Sequence, residues 1–134
     1  MNDFICPKCQ GHLRVADHII FKVKNKKKQT ALLLLNTQIG NYTSVKHPGF
    51  IIEPGERLDF FCPLCNAPIN SDIHENLARV LMKDEQGDYY EVYFSEISGE
   101  HITYTTSGDK LHVEGEHASR YTYFKVGDKF KKYF

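Results

Sequence analysis

The four cysteines of the chain fall into two copies of one short frame, Cys6-Pro7-Lys8-Cys9 and Cys62-Pro63-Leu64-Cys65. No other feature restricts the fold as strongly. The match runs beyond the sulfurs: Phe4-Ile5-Cys-Pro-Lys-Cys-Gln10-Gly11-His12-Leu13 aligns with Phe60-Phe61-Cys-Pro-Leu-Cys-Asn66-Ala67-Pro68-Ile69. In each copy an apolar pair leads in, and an aliphatic residue returns four positions after the second cysteine. The two-residue gap lets both thiolates reach one ion while nearby backbone N–H groups point toward the sulfurs. The proline fixes φ inside the tight turn. The residue after the second cysteine, Gln10 or Asn66, has to turn sharply, which Asn tolerates and Gly prefers. Two such half-sites facing each other give a tetrahedral four-cysteine centre with no open position, the arrangement of a structural zinc site with one Zn2+ per chain.

Three other uses of the cysteines are weighed against this one. Disulfides belong to oxidising compartments, and the N-terminal Met1-Asn2-Asp3-Phe4-Ile5-Cys6 shows no basic and apolar leader, so a cytoplasmic chain with free thiolates is the expectation. A redox Cys-x-x-Cys pair normally sits at the N-terminus of a helix after a buried strand, whereas both frames here run into turn-rich sequence, Gln-Gly-His and Asn-Ala-Pro. Iron, as in a rubredoxin-like electron carrier, uses the same tetrahedron of thiolates and stays open as an alternative to zinc. The 52-residue spacer between Cys9 and Cys62 is no obstacle to a shared ion. Loop closure costs only about 0.6 kcal/mol more per doubling of length. A structural zinc contributes on the order of 10–16 kcal/mol in small peptides.

The remaining sequence reads as mainly β, with at most one or two short helices. His18 to Lys24 and Thr30 to Asn36 alternate as strands around the polar run Asn25-Lys26-Lys27-Lys28-Gln29. Glu53-Pro54-Gly55-Glu56 has the Pro-Gly centre of a type II turn and is expected to join Phe50-Ile51-Ile52 to Leu58 through Phe61 as a hairpin. Asp72 and Glu75 have the spacing of a capping box for one helical turn. Leu77 to Lys83 pairs with Tyr89 to Phe94 around 84–88, and His101 to Thr106 pairs with Leu111 to Glu114 around Gly108-Asp109. That last register sets Tyr104 opposite Val113 and Thr106 opposite Leu111 on an expected inner face, and sends His101, Thr103 and Thr105 outward. Ala118 to Phe124 fits a strand or a short helix equally, and the tail 129–134 alternates basic and aromatic residues. The expected organisation is a zinc-ribbon-like four-cysteine region over 1–70 and an antiparallel β meander over 71–134 packed on it, the two possible as one integrated domain.

On these residues the chain resembles the small bacterial zinc-ribbon proteins that carry two Cys-Pro-x-Cys motifs, called CpXC-type. The resemblance covers residues 4 to 69. It implies a metal-binding β fold with Cys6, Cys9, Cys62 and Cys65 as the ligands, and it implies no particular activity. In place of the Gly that follows the second cysteine of many zinc knuckles, this chain carries Gln10 and Asn66.

Charge and composition narrow the role. The chain of 134 residues has 17 basic and 17 acidic side chains, which argues against a chain built to coat nucleic acid. The longest aliphatic run, Ala31 to Leu35, is far short of the ~18 apolar residues of a membrane span. Residues 1–70 hold 9 basic and 5 acidic side chains and residues 71–134 hold 8 basic and 12 acidic, so the halves carry +4 and −4. Lys22, Lys24, Lys26, Lys27 and Lys28 form the one basic cluster, a candidate phosphate-binding hairpin whose plainer reading is a solvated tip. Phe21 is the nearby aromatic, and is expected in the core. His101, His112 and Glu116 are weighed as a second metal site against the plainer reading of exposed strand side chains. Tyr89, Tyr93, Tyr121 and Tyr123 could mark a partner surface. No catalytic constellation is read: Ser107, Asp109 and His112 lie close in sequence but in a hairpin that gives no oriented triad. The expected role is protein interaction or scaffolding. Nucleic-acid binding is the alternative.

Overall fold

The computed structural model describes residues 2–107 and 110–117. It contains ten strands and, among the described residues, no helix: β1 Asp3–Ile5, β2 Arg14–Val15, β3 His18–Lys24, β4 Thr30–Asn36, β5 Ser44–Lys46, β6 Asp59–Phe61, β7 Leu77–Lys83, β8 Tyr89–Ser95, β9 Thr103–Ser107 and β10 Lys110–Glu114. They form two antiparallel sheets. One sheet runs β1-β7-β8-β9-β10, and the other runs β2-β3-β4-β5. In the second sheet β6 shares the free edge of β3 with β2, pairing Lys22 with Phe61 and Lys24 with Asp59. The first sheet draws β1 from the beginning of the chain and the rest from residues after 76, so a strand of the first stretch completes the sheet of the second.

Period-two alternation explains the long strands. In β3, Ile19, Phe21 and Val23 are buried while Ile20, Lys22 and Lys24 lie on the opposite face. In β7, Ala78, Val80 and Met82 point inward while Arg79, Leu81 and Lys83 point away. The two inward faces meet in one core that also takes Phe4, Leu13, Leu33, Phe50, Leu58, Phe60, Ile69 and Val92. At its centre Phe21 and Phe60 of one sheet meet Phe94 of the other, with ring centroids 5.3 to 5.5 Å apart. Edge-to-face and tilted packing of this kind suits the ring quadrupoles.

The strands at 18–24, 30–36 and 77–83 match expectation to the residue, and β8 extends one residue further, to Ser95. Three expectations need correction. The Pro54-Gly55 turn forms, with Gly55 at φ 80° and Glu56 N donating to Glu53 O at 3.1 Å, but β6 pairs with β3 and not with 50–52. Val23 and Phe60 face the core across that pairing and are both buried there. Residues 70–76 turn without making a helix, and Ser71 Oγ accepts from Ile73 N at 2.8 Å. The β9–β10 register is as expected, Tyr104 opposite Val113 and Thr106 opposite Leu111, and Tyr104 and Thr106 are buried as expected, but the cover is not confined to that face. Thr103 is buried toward the other sheet, and Leu111 and Val113 are exposed. Tyr104 is covered from the opposite side by a smaller cluster with Ile73, Leu77, Tyr93 and Ile102. The loop at Gly108-Asp109, the segment 118–124 and the tail 129–134 lie outside the described residues.

One acidic side chain sits within this fold against expectation for a charge. Glu96 follows β8, is 2% exposed, and receives Arg57 Nε on Oε1 at 3.4 Å, while Oε2 has no hydrogen-bond partner among the described residues. Burial, opposed by the Arg57 charge and the Phe60 backbone N–H, pushes its carboxyl up to about 7. A folded-state value above the unfolded one means the contribution to stability is full below about pH 4.5 and is lost as pH rises through 7. Glu96→Gln removes that loss. The variant is expected to gain about 1–3 kcal/mol relative to the parent at pH 8, and little at pH 4.5, in urea titrations at both pH values.

Candidate metal centre

Each cysteine frame folds as a miniature hairpin, and the two are copies down to individual hydrogen bonds. Cys6 N donates to Gly11 O and Cys62 N to Ala67 O, both at 3.0 Å. Gln10 N donates to Cys6 O at 3.0 Å and Asn66 N to Cys62 O at 2.9 Å. Isolated bridges Ile5–His12 and Phe61–Pro68 close the two stems. Gln10 and Asn66 take φ of 60° and 63°, the left-handed turn required after the second cysteine. Leu13 and Ile69 return to the core beside Phe4 and Phe60 and fix the knuckles to it.

The knuckles face one another. Cys6 Sγ lies 3.8 Å from Cys65 Sγ, Cys9 Sγ lies 3.8 Å from Cys62 Sγ, and all four sulfurs fall within 4.8 Å of each other. A tetrahedral ion with metal–sulfur bonds of about 2.3 Å has ligand edges of about 3.8 Å. A disulfide needs about 2.0 Å between sulfurs, and all four cysteines are free. The arrangement can therefore hold one metal ion. Backbone amides are already aimed at the ligands: Lys8 N and Cys9 N reach Cys6 Sγ at 3.3 and 3.5 Å, Leu64 N and Cys65 N reach Cys62 Sγ at 3.3 and 3.4 Å, and Gly11 N reaches Cys9 Sγ at 3.4 Å. A divalent ion with four thiolates carries a net charge of about −2, and these N–H dipoles offset it.

Cys6 and Cys62 are buried, while Cys9 and Cys65 are exposed. Burial raises the Cys6 thiol to about 12 and also raises that of Cys62, while the Ala67 amide lowers that of Cys65. A bound cation would reverse the cost of burying the two inner thiolates. The knuckles also touch directly. A Cβ at Gly11 would come within 2.5 Å of a Leu64 methyl, so the missing side chain lets Leu64 of the second knuckle close over the first.

The lysines of the cluster meet different neighbours. Lys22 Nζ donates to Asn66 Oδ1 at 2.6 Å, and Lys22 and Lys24 lie 5.8 and 5.9 Å from the centre of the Phe61 ring. Lys26 pairs with Glu53, and its backbone N donates to Glu56 Oε2 at 2.8 Å. Lys27 and Lys28 are exposed at the hairpin tip. Phe21 is fully buried, as expected, and Phe61 is the aromatic that the lysines flank. Phe61 was legible in principle, because Phe60 and Phe61 are adjacent on a strand and only one of them can face the core.

The second candidate metal site is not assembled. His101 Nδ1 meets Glu116 Oε1 at 3.0 Å, but His112 Nε2 turns to Glu114 Oε1 at 2.8 Å, and the four cysteines are the one group of convergent ligand atoms among the described residues. His101 instead stacks on Tyr42, centroids 4.5 Å apart and 7° from parallel. His12 is held by Asp3 at 2.6 Å on the first knuckle. Of the tyrosines considered for a partner surface, Tyr89 is exposed and Tyr93 is fully buried; Tyr121 and Tyr123 lie outside the described residues.

No family model matches the chain, and no curated protein or solved structure matches it. What the site can do rests on its own geometry: four sulfurs from two equivalent knuckles, placed for one tetrahedral ion.

Proposed function

We propose that the protein is a small zinc-binding module in which Cys6, Cys9, Cys62 and Cys65 hold one structural Zn2+, and that its role is to bind or scaffold a protein partner. The observation that carries the first part is the convergence of two cysteine pairs from distant parts of the chain at the edge length of a metal–thiolate tetrahedron. Four ligands fill a tetrahedron, which leaves no position for a substrate or an activated water and suits a structural ion. A reducing, cytoplasmic compartment would keep all four thiols available. Among the described residues no helix is long and apolar enough to cross a membrane.

A protein partner is favoured by the outward face of the second sheet. Ile20, Leu34 and Val45 stand in register across β3, β4 and β5, with Leu32 beside them; Leu32 and Val45 are each 53% exposed. A row of aliphatic side chains in water is a usual mark of an interaction surface.

Elemental analysis with an absorption spectrum tests the metal. The expected result is a colourless preparation with about one zinc per chain. Visible charge-transfer bands with a reversible one-electron couple would instead support the rubredoxin-like iron reading. A protein that folds metal-free and takes up neither ion would overturn both.

A further inference from the structure

Between the two sheets, away from the cysteines, the fold lines a partly open cavity of about 180 Å³. Phe21, Phe60 and Phe94 form its aromatic wall, and the loops at 38–44 and 95–103 surround the rest. A cavity near 150 Å³ in an apolar interior is large enough to take benzene. This one differs from a packing void in its polar content. Glu96 lines it with a side chain 1% exposed and with Oε2 lacking a hydrogen-bond partner among the described residues. Arg57 approaches only the other oxygen and is not part of the wall.

We propose that this cavity binds a small apolar ligand carrying one protonated amine, whose ammonium pairs with Glu96 Oε2 while its hydrocarbon body lies among Phe21, Phe60 and Phe94. The charge of the lining selects the cation. Glu96 and Glu100 contribute carboxylates, and no lysine or arginine among the described residues lines the space. The nearest imidazole, His101, already faces Glu116. Aromatic faces beside the carboxylate add a second attraction for an ammonium. A buried carboxylate oxygen without a donor is costly, and an N–H donor from a ligand supplies what the protein leaves out. Burial raises the Glu96 carboxyl, with the Arg57 charge and the Phe60 backbone N–H opposing it. None of the four cysteines lines the cavity.

The test titrates the full, metal-loaded chain with benzylamine, benzyl alcohol and toluene, and follows methyl resonances of Ile19, Leu33, Leu35 and Ile102 by NMR. Benzylamine should shift these methyls in a saturable way and bind at least about tenfold more tightly than the alcohol or toluene, a preference of the size expected for a charge-assisted bond. Glu96→Gln should abolish the preference and leave the spectrum otherwise folded. If that variant does not fold, Leu35→Phe fills the space with a ring and should remove the methyl shifts. Equal affinity of the three probes, amine binding that survives Leu35→Phe, or shifts confined to surface residues would each overturn the proposal.

Discussion

Stripping the ion with a strong chelator is expected to unfold at least residues 1–70, and Cys6→Ser, Cys9→Ser, Cys62→Ser and Cys65→Ser are expected to do the same. A domain of this size keeps only about 5–15 kcal/mol of net stability. A structural zinc site is worth on the order of 10–16 kcal/mol in small peptides, so losing it is comparable to the whole reserve. The geometry says where the loss is felt. Without an ion, the fold holds two buried thiols whose only partners are weak N–H donors and each other's knuckle. The two knuckles anchor β1 and β6, one in each sheet, so releasing them loosens both. Cys6→Ser and Cys62→Ser should be the more severe pair, because a buried serine hydroxyl neither ligates zinc well nor fills the volume of sulfur. Circular dichroism melts run beside metal content are the measurement. Four single variants that all keep the parent's melting transition would remove the ion from the folding account.

The legible parts of this protein are those set by near neighbours in the chain. The cysteine frames announce themselves because the bonds that shape each knuckle are local, the widest running from Leu13 N to Phe4 O in the first and from Ile69 N to Phe60 O in the second. The strands 18–24, 30–36 and 77–83 were legible for the same reason: alternation is a local pattern. What escaped is non-local. Asp3–Ile5 pairs with Leu81–Lys83, a choice made by the core and not by any turn. The pairing of β6 with β3 in place of 50–52 is likewise decided by Phe60 meeting Phe21 and Phe94.

Parity explains the remaining error. The 101–114 hairpin was correct in register and in the burial of Tyr104 and Thr106, but Thr103 is buried as well and Leu111 and Val113 are exposed, because alternation states which side chains share a face and not which face another layer will cover. Glu96 and its cavity had no sequence signal at all. A glutamate after an exposed-looking strand end reads as solvated until Leu58 and Asn76 are seen beside it, with Leu58 N donating to Glu96 O and Glu96 N donating to Asn76 O. Among the lysines, the pattern showed a charge cluster; only the fold shows that Glu53, Glu56, Asn66 and Phe61 divide it.

Phe60→Ala is expected to cost about 3–5 kcal/mol in denaturant unfolding of the metal-loaded protein, and to weaken metal binding at the same time. The ring is 4% exposed and contacts Phe21 at 5.5 Å and Phe94 at 5.3 Å, so its removal opens a void where the two sheets meet. Two aromatic pairs are lost with it, each worth about 0.5–1.5 kcal/mol beyond the buried area. The effect reaches the ion through the backbone. Phe60 O accepts from Ile69 N at 3.1 Å and so closes the stem of the second knuckle, two residues ahead of Cys62. A stem that shifts into the void moves Cys62 and Cys65 relative to Cys6 and Cys9, and the 3.8 Å edges are no longer held in advance. Phe61→Ala is the control, since that ring lies on the outward face beside Lys22 and Lys24 and closes no core contact. It should cost under about 1 kcal/mol and leave competitive zinc titrations unchanged. If Phe60→Ala lowered stability but left the zinc affinity at the parental value, the knuckles would be organised by the metal alone, and the core beneath them would have no part in preparing the site.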